Sequence, residues 1–281
     1  MASLASRVAH DIALKLKYER QLEAKFRAIF RAMAEESRVH YVTTRNILDV
    51  NVYNNEIIAT LKQHYRKVAE AFSGRLTDDL VKSFNRTEIK AGDEKIKKKV
   101  SDFINKRALQ QTYYISQSNI KEMQDAFGSA WYSVTFEGVD PEPYRIADEG
   151  SQEFEIRAMG RAKTIGMTET QYIAEKTKDA EAEAIFEGGV MVDGEELQPA
   201  EITKVWNAIL DDRTRQAHVE ADYQIVQQDE PFIVMNQKLM FPGDTSMGAT
   251  LDNIINCRCN TVRAIELSGL PDYVPRPLYD L

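Results

Sequence analysis

The sequence predicts an α+β protein. A mainly helical N-terminal region of long amphipathic helices comes first, and a compact C-terminal domain with a small antiparallel sheet follows. Three observations carry that expectation. Apolar residues recur at helical spacing through the first half, β-branched and aromatic runs broken by turn residues gather after Ile202, and the sign of the charge reverses between the halves. Residues 1–130 hold 23 Lys and Arg against 16 Asp and Glu, whereas residues 131–281 hold 13 against 28. The net charges are therefore +7 and −15, within a total of −8.

The first helices rest on Leu22, Phe26, Ile29, Phe30 and Met33, and then on Ile57, Ile58, Leu61, Tyr65, Val68 and Phe72, all spaced to share one face. "YVTTRNILDVNVYNN" between them mixes β-branched residues with Asn and Asp and reads as a break. Gly74 stops the second helix, and Thr77 is expected to cap a short one ending at Phe84. Ile96, Val100, Phe103 and Ile104, then Ile120, Met123 and Phe127, extend the helical period, making residues 1–130 a basic, all-helical region. In residues 131–150 the period fades and Gly and Pro enter, so a linker is expected there.

Residues 151–268 form the expected α+β domain. An Ala-, Glu- and Lys-rich helical stretch runs to Gly188-Gly189, and Asp193-Gly194 marks a tight turn. Strands are expected around Val205, Trp206, Ile209 and Leu210, then over Pro231–Met235, Lys238–Phe241 and Cys257–Ile265, with Asn236-Gln237 as a hairpin turn. The tail 269–281 is Pro-rich and reads as extended.

Composition excludes several classes. No run approaches 18 uncharged apolar residues, so no transmembrane span and no membrane partner are expected. Asp11 interrupts the first apolar stretch, so the N-terminus reads as a mature start rather than a secretory signal. Cys257 and Cys259, the only cysteines, are too close to build a disulfide framework, which fits a reducing, cytosolic birthplace. No phosphate-binding loop, dinucleotide fingerprint or His-Glu-x-x-His is present. The chain is read as no enzyme.

The densest basic patch is Lys95, Lys97, Lys98 and Lys99, the candidate for sequence-independent contact with DNA phosphates. Successive helical residues fan around the axis, so these lysines do not all share a side. The chemistry-bearing stretch lies further on, where Asp211, Asp212, Arg213 and Arg215 follow a strand and His218 comes next. Carboxylates at such a reversal cap backbone N–H groups, and Asp-Arg pairs cross-link it. On a strand, Cys257 and Cys259 would share a face; with His218 they would supply three zinc ligands, and Asp222 or Asp211 a fourth. Three readings stand: a zinc site, two buried thiols, or a nucleophilic cysteine with His218 as base.

"KVWNAILDDRTRQAHVEADYQ", "PFIVMNQKLMFPGD" and "GATLDNIINCRC" together resemble the C-terminal module of the phage head morphogenesis proteins, the Mu F-like minor head proteins of tailed bacteriophages. The resemblance is carried by Trp206, Asp211/Asp212, Arg213, Thr214, His218, Asp222, Pro242, Gly243, Asp244, Asn256, Cys257, Arg258 and Cys259. "RAKTIGMTETQYIAEK" is similar to the family's upstream helix and extends the match to about residues 155–265. Relatives look like Cys-Pro-x-Cys where Arg215-Gln216-Ala217-His218 stand, and like His-Pro-Asn-Cys-Arg-Cys where Ile254–Cys259 stand, so this chain keeps only His218, Cys257 and Cys259 of their ligand types. The resemblance implies a low-copy virion protein inside the capsid, made in the host cytoplasm. Its implied partners are the portal and other head proteins, and packaged DNA through the N-terminal half. Head assembly and DNA packaging or ejection are the implied roles. The alternative is a metal-dependent hydrolase or effector delivered with phage DNA, centred on His218, Cys257 and Cys259.

Overall fold

The structure is a computed structural model that describes residues 4–78, 89–91, 93–136, 142–192 and 195–267. Helix α1 spans Leu4–Thr44, and a 3-10 turn at Val50–Tyr53 leads into helix α2, Asn54–Phe72. Asp49 caps that turn by accepting the Asn51 N–H. Strand β1 is Ile89–Ala91, helix α3 Asp93–Phe136 and helix α4 Pro143–Gly188. Strands β2 (Val190–Val192), β3 (Glu195–Leu197) and β4 (Pro199–Asn207) come next. A short helix α5, Gln216–Glu220, precedes β5 (Ile225–Gln227), β6 (Phe232–Val234) and β7 (Gln237–Leu239). Helix α6 (Leu251–Ile254) and strand β8 (Asn260–Leu267) complete the series.

The fold class is thus α+β, with long helices first and small antiparallel sheets after. One sheet has the order β1-β2-β3 and another β5-β4-β8, while β6 and β7 make a hairpin. In the longest pairing Ile202 faces Ile265 and Trp206 faces Thr261.

Four details depart from the sequence reading. Residues 131–136 and 143–150, expected as linker, are helical: Val134 and Ile146 are buried, and this packing outweighs the helix-breaking tendency of nearby Gly and Pro. The first half is not all helix either, because Ile89–Ala91 pairs with Val192–Val190. The β6-β7 turn is Met235-Asn236, one residue earlier than expected; both take positive φ, 52° and 62°, as a two-residue hairpin turn requires. Thr77 lies within a helical turn that begins at Arg75, where its N–H and hydroxyl donate to Glu181. The turn Asp193-Gly194 and the tail 269–281 lie outside the described residues.

The chain forms two compact units. One comprises residues 1–18, 65–103 and 167–281, the other 19–64 and 104–166. The second is helical and packs Phe26, Phe30, Met33, Ile57, Leu61, Met123, Phe127 and Phe154 out of solvent. In the first unit, Leu76, Ile96, Ala182, Ile185, Val190, Ile202 and Ile265 form one apolar cluster, and Trp206, Ala221, Phe232, Val234, Leu239, Cys257 and Cys259 another. The second of these positions the site.

Candidate functional site: a histidine-dicysteine clasp

Strand β4 delivers Trp206 into this core, where its ring meets Phe232 edge-on at 5.3 Å and His218 at 5.6 Å. The chain then turns at Asp211. That carboxylate accepts the Arg213 N–H and the Thr214 hydroxyl, and the Arg258 guanidinium clamps it through two bonds of 2.6 and 2.7 Å. The Arg258 contact holds Asp211 well below the usual carboxylate range. Arg215 donates to the Ile255 carbonyl. Two loops are thereby tied together, the one that starts α5 and the one that carries both cysteines.

His218 is buried on α5, with Nδ1 3.4 Å from the Cys259 sulfur and 3.6 Å from the Cys257 sulfur. All three ligand-type atoms lie within 4.8 Å of one another. The cysteines do not sit on a strand, as the alternation argument had it, but on the loop between α6 and β8. Asn256 has φ 57°, a conformation Asn tolerates better than most residues, and the loop reverses there so that both sulfurs face the imidazole. The Cys259 thiol donates to the Cys257 sulfur; this, opposed by burial and helped by His218, draws Cys257 well below its ordinary value. Facing that thiolate in a buried setting, Cys259 rises well above its own. His218 Nε2 is buried without a hydrogen-bond partner. The Trp206 indole N–H makes no well-formed hydrogen bond, yet it sits close enough to Cys259 to favour that thiolate weakly. A void of about 10 Å³ adjoins the cluster, lined by Arg213, Thr214, Arg215 and Asn256 among others.

Asp222 is not a fourth ligand, because its Oδ1 accepts the Ala208 N–H at 2.7 Å and fixes the strand exit instead. Asp212 is exposed, and the Asp-Arg pair of this turn is made by Asp211 with Arg258. Arg213 is also exposed, its guanidinium reaching Asp211 only at 3.5 Å. The Pro242-Gly243-Asp244 turn is structural. Gly243 has φ 89°, where a side chain would be strained, and Asp244 accepts the N–H groups of Met240 and Ser246.

Sequence reasoning missed what this module sits on. Along α4, Thr168 accepts the Asn256 N–H, Gln171 donates to the carbonyls of Pro242 and Cys259, and Glu175 accepts the N–H and hydroxyl of Thr261. Glu175 is fully buried between Lys15 and Lys178, each 2.7 Å away. Burial pushes its carboxyl up, but the two ammonium groups outweigh that and hold it at about 2. A similar buried set joins Asp179 to Lys176, Arg263 and Gln228. "TETQYIAEKTKD" carried a signal, since five of its twelve residues are charged and four of those fall between Glu175 and Asp179. Composition alone did not say which of them point inward.

The lysine patch is partly spent inside the protein. Lys99 pairs with Glu183 at 3.0 Å and Glu187 at 2.8 Å, Lys97 pairs with Glu94 on its own helix, and Lys95 acts on Glu187; Lys98 is exposed. The basic and acidic halves were expected to face different partners. Within the first unit Lys15 and Lys99 instead neutralise Glu175, Glu183 and Glu187 of the other half. Compared with protein-family models, curated proteins and solved structures, the chain finds no match in any of the three.

Proposed function

We propose that this chain is a structural and interaction protein of a tailed-bacteriophage head, a minor capsid component at the portal that acts in head assembly and in the packaging or ejection of DNA. The observation that supports it most is how the residues resembling the Mu F-like module are used. Trp206, Asp211, Asp222, Asp244, Asn256 and Arg258 are each spent on core packing, a reversal or a cross-link between loops. Such a module holds a shape. Helix α3 adds exposed Tyr113, Tyr114 and Trp131, residue types that anchor protein interfaces.

The hydrolase reading draws on His218, Cys257 and Cys259, but the adjoining void of about 10 Å³ has room for roughly one water and none for a substrate group. The test is particle composition. Mass spectrometry of purified heads from cells carrying the phage genome should find the chain at a few copies per particle, co-purifying with the portal. Its presence in the lysate but not in heads would overturn the proposal.

A further inference from the structure

We propose that His218, Cys257 and Cys259 bind one zinc ion, with a water molecule in the fourth tetrahedral position. Geometry carries this. Zinc bonds of about 2.3 Å to sulfur and 2.05 Å to nitrogen at a tetrahedral angle place two such ligands roughly 3.6 Å apart. The imidazole Nδ1 stands 3.6 Å from one sulfur and 3.4 Å from the other. Those separations would also suit hydrogen bonds to sulfur, so the surroundings must decide.

Three features favour an ion. His218 presents Nδ1 to the sulfurs while Nε2 lies buried without a partner, so the ring has one productive use. Its edge-on contact with Trp206 fixes the plane in which Nδ1 points. The void of about 10 Å³ beside the three groups matches one water. Among the described residues no other His, Cys, Asp or Glu joins the cluster, so the fourth ligand comes from solvent. Charge is consistent as well. Arg258 is already neutralised by Asp211 and so does not oppose a divalent ion beside the two sulfurs. Two thiolates with one imidazole select zinc over magnesium or calcium.

The experiment uses the full chain purified without chelators. Elemental analysis should give one zinc per chain, and exchange with cobalt(II) should give the intense visible bands of a tetrahedral ion together with near-ultraviolet thiolate charge transfer. Cys259→Ser should weaken cobalt binding at least about a hundredfold, since loss even of an outer partner costs ~10–100-fold. Should that variant fail to fold, the wild-type spectrum and a chelator-induced fall in melting temperature decide alone. A metal-free chain that stays colourless with cobalt, its sulfurs titrating as two free thiols or as one disulfide, would overturn the site. Three protein ligands and a water are also what the hydrolase reading would need, so the head-protein reading is decided separately, by particle composition.

Discussion

Glu175 is the residue on which the first unit turns. Its carboxylate joins Lys15 near the N-terminus, Lys178 on its own helix and the start of β8 at Thr261, all out of solvent. Glu175→Gln leaves Lys15 without its anion and Lys178 with only Asp11 at 3.7 Å, and breaking a buried pair in this way costs about 3–5 kcal/mol. A drop in the urea midpoint of that order checks it. The acid response follows from the direction of the shift. The folded carboxyl titrates at about 2 against an ordinary 4.5, so its stabilisation is complete above pH 4.5 and fades as the pH falls toward 2. The full effect is about 3 kcal/mol. Stability measured between pH 6 and 3 should fall for the wild type and be flatter for Glu175→Gln. Trp206, fully buried between Phe232 and His218, should lose about 3–5 kcal/mol on truncation to Ala, read as a lower melting temperature.

At the scale of elements, the long helices were legible because burial writes a 3.6-residue period into them. Leu22, Phe26, Phe30 and Met33 announce α1, and all four are buried. Strand β1 was not legible, since three residues cannot display alternation and its pairing with β2 is fixed about a hundred residues away. The clasp was half legible. The meeting of His218 with Cys257 and Cys259 followed from their residue types, but the role of Asp222 did not, because a backbone N–H in need of an acceptor leaves no mark in side-chain sequence. Close helix approach was equally hidden. A Cβ at Gly166 on α4 would lie 2.7 Å from the Glu19 carbonyl of α1, too near for backbone to accept. Gly166→Ala should therefore destabilise by about 1–3 kcal/mol although Ala is the better helix former. An unchanged or raised melting temperature would show that the helices can part.

For the whole molecule, the two halves by charge are not the two compact units. The first unit gathers residues 1–18 and 65–103 with 167–281. A fragment of residues 151–281 would lack Lys15 and the apolar contributions of Leu76 and Ile96, and should show no cooperative thermal transition where the full chain does. DNA contact belongs at this scale too, because Lys97 and Lys99 are already paired and the remaining basic surface must act together. Retention of the full chain on DNA cellulose should collapse as salt rises from 50 to about 200 mM. Salt-insensitive retention, or none, would leave only protein partners.

The bond between Lys15 and Glu175 joins positions 160 residues apart. At ribosomal speeds of about 5–20 residues per second, the lysine emerges roughly 10–30 seconds before its carboxylate exists. During that wait residues 19–64 of the second unit are already made, whereas the first unit still lacks everything from residue 167 onward. The first unit is therefore expected to close late in synthesis, its earliest helical turns held open until the carboxylate that neutralises Lys15 has been made.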